Sequence, residues 1–361
     1  MREIRLDFLA NFPHNHKANA LLMRDDLPNP NTLESSFIQS LSADSKQLAS
    51  MFGMSASQSF DYTSGSFALL FQLLHTHHFH IALASSLHQQ SFYAAALYPS
   101  ITLFAPCQTS GVIDSLPSMP SHKNLALFIP YINQDILTQN PIDTLISQTL
   151  HSYPNALIFL DISLLASVLD SRILSVLCAL THPQIVFLCN AENIGLMRPS
   201  GFLLSHTRIS QEHKEILHAL SRFFLLRAQL FQASYLALQD ILRTPKISDE
   251  KFELYKKLKL LLDDSLSLFA PLESTLPNAL PLRFRHIKAR LLIQALSVEG
   301  IFAINGQDCL FGNAKPSFVL ASQGYDEPST RELLSISYHH ALDLDALAHR
   351  LSNAYFHLRQ F

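Results

Sequence analysis

A thiol set between glycines is the most reactive feature of this chain: Cys309 lies in Gly306-Gln307-Asp308-Cys309-Leu310-Phe311-Gly312. A loop of that kind exposes a cysteine and lets it reach a separate site, as nucleophilic chemistry requires. A small hydrophobe packed in a core is the other reading of a free cysteine. Thr63-Ser64-Gly65-Ser66 has the character of a strand-to-helix turn. Free amides at a helix N-terminus hold anions there, although the same residues also start ordinary helices. Leu160-Asp161 places a carboxylate at a strand end, where parallel sheets gather functional groups. It would equally cap a helix running on from Ile162. His75, His77, His78 and His80 cluster before an apolar run. Imidazoles suit zinc or nickel, but no nearby cysteine or carboxylate completes a ligand set, and a solvated helix end is the plainer alternative.

The elements that must position these residues follow from apolar periodicity. Short apolar runs at 80–84, 101–104, 125–129, 156–160, 185–188 and 202–204 alternate with helical or turn sequence. That order predicts a mainly parallel sheet with helices on both faces. Between the last two runs lies the polar loop Asn190-Ala191-Glu192-Asn193, which reads as strand, functional-type loop, strand. Helical spacing is expected over 29–52, 212–243 and 251–269, followed by a proline-rich loop at 271–281. A helix over 289–296 and a strand over 301–304 open a C-terminal region. The division predicted is a large α/β domain over 13–245 and a small α+β domain from 1–12 and 246–361.

Composition narrows the function. Hydrophobic content of 48% and charged content of 15% describe a globule with a large core. A net charge of −3 gives no electrostatic footprint for nucleic acid. No apolar run reaches the ~18 residues of a membrane span. No secretory signal is read at the start, and the four cysteines, without any CxxC, fit reduced thiols. A cytoplasmic location is the expectation.

Motif order along the whole chain resembles the class V aminotransferase family of pyridoxal-phosphate enzymes, the NifS-type cysteine desulfurases included. Leu6-Asp7-Phe8-Leu9-Ala10-Asn11-Phe12-Pro13 resembles the entry segment LDNNATTP. Thr63-Ser64-Gly65 resembles the TSGxTE phosphate turn, with Phe67 and Ala68 in place of threonine and glutamate. A phenylalanine ring is expected near the phosphate. Ser85-Ser86-Leu87-His88 is similar to SxEH, whose histidine stacks on the pyridine ring. Asn133-Gln134-Asp135 with Pro141-Ile142 partly matches NNE…PI. Leu160-Asp161 resembles VDxxQ, whose aspartate pairs with the pyridine nitrogen, and Leu164 stands for the glutamine. Aligning Gly201 with the last glycine of the lysine block puts Asn190, Glu192 and Asn193 where the family has serine, histidine and the Schiff-base lysine. The desulfurase loop GSACSSG is resembled around Cys309, and PSHVL by Pro316-Ser317-Phe318-Val319-Leu320. Ser335 falls where an arginine grips the substrate carboxylate.

The resemblance implies the pyridoxal-phosphate transferase fold, fold type I, with a seven-stranded-type sheet and a homodimer. Ser64, Gly65, Ser66, His88, Asp161 and Asn190 are the residues it assigns to the cofactor. An amide cannot condense with an aldehyde, so Asn193 cannot hold pyridoxal phosphate covalently. No lysine occurs between Lys123 and Lys214. The expected function is that of a desulfurase-like homologue without standard pyridoxal-phosphate catalysis. It would bind the cofactor non-covalently at best, and serve as a regulatory or sulfur-accepting dimer through Cys309. A sulfur-transfer or iron–sulfur assembly partner is implied with it. The alternatives are an active desulfurase or lyase using Lys214, Lys315 or non-covalent cofactor, and a metal binder built on the histidine cluster.

Overall fold

Uninterrupted apolar runs become strands buried on both faces, and this chain shows why. The computed structural model describes residues 3–23, 35–118, 124–224, 228–244, 249–307 and 315–360. After a short β1 (Ile4–Arg5) come β2 (Ala56–Ser59), β3 (Phe79–Ala84), β4 (Thr102–Phe104), β5 (Asn124–Pro130), β6 (Leu157–Asp161), β7 (Ile185–Asn190) and β8 (Gly201–Ser205). These last seven form one sheet in the order β2-β8-β7-β6-β5-β3-β4. Pairing is parallel from β7 through β6, β5 and β3 to β4, while β8 runs antiparallel to both of its neighbours.

Side chains alternate across this sheet, as a two-residue period demands. Leu125, Leu127 and Ile129 join one core with Ile158, Leu160 and Phe187. Ala126 and Phe128 join the other with Phe159, Val186 and Leu188. Both cores are covered by helices, so neither face meets water and the strands carry no polar stripe. Helices Ser35–Met51, Ile142–Ser152, Ser171–Ala179 and Ala228–Arg243 line the first core, and Ser64–Thr76, Gln89–Ala95 and Gln211–Ser221 line the second.

A third core belongs to the C-terminal part. There β9 (Leu266–Leu268), β10 (Ala279–Phe284) and β12 (Leu333–Ser337) make an antiparallel sheet of order β12-β10-β9, and β11 (Ile301–Phe302) pairs in parallel with β1. Leu254, Leu258, Leu292, Leu296, Leu347 and Leu351 bury the apolar stripes of helices Lys251–Leu262, Ala289–Val298 and Leu344–Arg359 against it. Leu6 packs into this third core, whereas Phe8 and Leu9 pack into the first.

Three expectations are corrected. The helical stretch over 212–243 is not one helix: Gln211–Ser221 closes when the Arg222 and Phe223 amides bond three residues back, to Ala219 and Leu220. Helix Lys251–Leu262 stops short of residue 269 because Asp263 turns to φ +45° and the chain enters β9. The proline-rich stretch 271–281 is not all loop, since β10 begins at Ala279. Pro281 is tolerated there because β9 pairs only with Leu282–Phe284, beyond the missing amide. Among the described residues no helix is long and apolar enough to cross a membrane.

Candidate functional site

Strands β6 and β7 end side by side, and their last residues are the sequence candidates Asp161 and Asn190. Asp161 is 1% exposed, and both of its oxygens have donors. The Ser163 amide donates to Oδ1 at 2.8 Å and the Tyr62 hydroxyl to Oδ2 at 2.5 Å. Burial pushes the Asp161 carboxyl upward, and burial together with that carboxylate pushes the Tyr62 phenol up much further. The proton therefore stays on the phenol, which acts as the donor. The Tyr62 ring meets the His88 imidazole edge-on, at 5.2 Å between centroids. Burial, helped by Arg198, pushes His88 down to about 4, so the ring is neutral at neutral pH. Its Nδ1 accepts the Gln90 amide at 3.3 Å.

At the head of helix Ser64–Thr76 two of the amides that could hold an anion already have acceptors. The Ser64 N–H donates to Gln90 Oε1 at 2.8 Å, and the Ser66 N–H to the N-cap Thr63 Oγ1 at 3.2 Å. Ser66 Oγ lies 2.9 Å from the same Thr63 hydroxyl. Gly65 sits in the first turn between them. Phe67 does not crowd this place, contrary to expectation. Its ring is 1% exposed and turns into the aromatic core, 5.2 Å from Phe60 and 5.0 Å from Tyr62. Burying that surface outweighs any gain from projecting toward a polar turn.

The turn that follows β7 is a 3-10 helix, Ala191–Ile194, closed by Gly195 at φ +89°. Only glycine suits this corner, since a Cβ would stand 2.6 Å from the Pro13 carbonyl. Asn190 caps the turn, its Oδ1 accepting the Glu192 amide at 3.1 Å. Glu192 Oε2 accepts from Arg198 Nε at 2.6 Å. Asn193 is 7% exposed and its Nδ2 donates to the Leu9 carbonyl at 2.8 Å. Asn19 reinforces the seam, donating to the Gly195 carbonyl and accepting the Met197 amide, both at 2.8 Å. The N-terminal segment is thus stitched onto the turn where the resemblance places a lysine.

These groups surround a cavity of about 60 Å³, whose lining includes Tyr62, His88, Gln90, Asn190, Asn193 and Arg198. That is room for a few waters, well under the ~300 Å³ from which small-molecule sites begin. Among the described residues no lysine lines the site. Lys214 lines a different cleft, and Lys315 Nζ lies 5.6 Å from the Tyr93 ring centroid. Ser335, 2% exposed, spends its hydroxyl on the Asp135 carbonyl at 2.7 Å.

Sequence reasoning assigned no role to Tyr62 or Gln90, and it placed Asp135 in a motif without its partners. The signal available for Tyr62 was its place directly before Thr63-Ser64-Gly65. Asp135 is fully buried and joins the two cores: its Oδ1 accepts the Gln307 amide at 3.2 Å and its Oδ2 the Ser317 hydroxyl at 2.5 Å. Gln307 in turn accepts the Gln89 amide at 2.6 Å. The candidate thiol Cys309 lies outside the described residues. Among the described residues no three His, Cys, Asp or Glu side chains come together as a metal-binding group, and His75, His77 and His78 gain no ligand partner from the fold.

A mostly parallel seven-stranded sheet between helices, its strand ends facing a small C-terminal sheet, is the fold of the pyridoxal-phosphate enzymes of fold type I. The fold matches the NifS-like cysteine desulfurases and their aminotransferase relatives among solved structures. A NifS-like protein superposes with a TM-score of 0.71 at 15% identity, covering 100% of both chains. A NifS-like protein from Rickettsia africae ESF-5 gives 0.69 at 16% identity, again over 100% of both. SspA in complex with cysteine gives 0.64 at 14% identity over 94% of this chain and 100% of its own. No family model matches the sequence, and no curated protein does.

Proposed function

We propose that this chain is a desulfurase-like homologue that has given up pyridoxal-phosphate catalysis and acts as a homodimeric sulfur-accepting or regulatory partner through Cys309. One observation carries the reading: Asn193, which the motif resemblance sets at the lysine position, is buried and bonded to the Leu9 carbonyl. The neighbouring contacts support it. The Tyr62 phenol takes the carboxylate that would face a pyridine nitrogen, and the Gln90 carboxamide takes a helix amide that would face a phosphate. These internal contacts, beside a cavity of about 60 Å³, favour a site that has turned away from the cofactor. Neither Lys214 nor Lys315 lines this cavity, which weighs against a displaced covalent lysine.

Sulfur acceptance needs only an accessible thiolate. In that step the Cys309 thiolate attacks the outer sulfur of a donor persulfide. The donor S–S bond breaks, a new one forms to Cys309, and the donor leaves as its thiolate. Incubation with a persulfide donor is expected to add about 32 Da to the Cys309 peptide by mass spectrometry. The Cys309→Ala chain should show no such adduct. Steady alanine and sulfide release from cysteine and pyridoxal phosphate, abolished by Cys309→Ala, would overturn the reading in favour of an active desulfurase.

A further inference from the structure

A larger cavity than the one at the strand ends, about 590 Å³, runs along the free edge of β2 at the far side of the sheet. Its walls are apolar, from Leu41, Leu203, Leu217 and Phe231. Lys214 and His218, one helical turn apart, line the same cleft with His206, and among the described residues no Asp or Glu does. A lysine therefore faces a mainly apolar trough.

We propose that this cleft binds a small anionic amphiphile, its apolar body along Leu203, Leu217 and Phe231 and its acid group at Lys214. The volume falls in the 300–1,000 Å³ range of small-molecule sites. An added peptide strand does not suit the edge, because Ser45 already takes it: Ser45 Oγ accepts the Ser57 amide at 3.2 Å and donates to the Ser57 carbonyl at 3.0 Å. The cleft is separate from the Tyr62–Asn193 cavity, so its occupancy does not depend on the fate of the cofactor site.

The chain has no tryptophan, so Ser221→Trp, on the cleft wall, supplies a single reporter. Titration with dodecanoate below its micellar range should shift that emission saturably. Lys214→Glu on the same background should weaken binding about tenfold or more. Dodecyltrimethylammonium, with the same tail and the opposite charge, should not compete. Calorimetric titration of the unaltered chain with dodecanoate gives the same answer if the tryptophan variant folds poorly. Absence of saturable binding up to about 1 mM, or affinity indifferent to Lys214→Glu, would overturn the proposal. So would a tryptophan signal that follows protein concentration rather than dodecanoate, because the cleft would then be covered by a second copy.

Discussion

Asp161 shows how a buried carboxylate can be kept without a ligand. Two donors, the Tyr62 hydroxyl and the Ser163 amide, offset its desolvation inside the sheet. The same small neighbourhood holds His88 neutral, with burial as the larger cause and Arg198 as the smaller. Its folded-state value of about 4 lies below the ordinary 6.5, so the unfolded chain takes the proton first as pH falls. The His88 contribution to stability is therefore whole above about pH 6.5 and is lost progressively down to about pH 4. Urea midpoints measured across that window should fall less steeply for His88→Gln than for the parent chain. Equal slopes would mean that His88 is not held neutral. Asp161 and His88 were sequence candidates, and the cap that Asp161 gives the Ser163 amide was expected, but the Tyr62 contact and the neutral imidazole were not legible. Asn193 was, because the absence of lysine over 124–213 survives any slip of register, whereas a phenol reaching Asp161 depends on how β2 and β6 converge.

Elements were the most legible scale. Each apolar run expected as a strand became one, with ends moved by one or two residues, because a strand buried on both faces carries an unbroken apolar signal. Where the sequence misled, a local turn had overridden periodicity, as at Asp263, or a hydrogen-bond pattern had closed a helix early, as after Ser221. The Asp135 junction was invisible because its partners lie 172 to 200 residues away. Gly306 belongs to that junction. At φ +105° a side chain there is strained, and its Cβ would stand 3.0 Å from Asp135 Oδ2. Gly306→Ala is expected to cost about 1–3 kcal/mol in a denaturant titration. An unchanged midpoint would show that the two cores are not joined as described.

At the scale of the whole molecule, a fold shared with NifS-like proteins at about 15% identity frames a cavity of about 60 Å³ at the strand ends. The fold was legible because motif order survives even where the residues that do chemistry are exchanged. Under the proposed reading, the exchanged residues fall at the positions of the covalent anchor, the phosphate turn and the carboxylate grip, three separate requirements of one reaction. Asn193 and Ser335 have each acquired a backbone carbonyl as partner. The most direct test is an absorbance spectrum over about 300 to 500 nm, taken after incubation with excess pyridoxal phosphate and desalting. The account predicts a flat trace. A retained cofactor band that borohydride fixes to the protein would contradict it, by showing that a lysine reaches a site in which only Asn193 is seen.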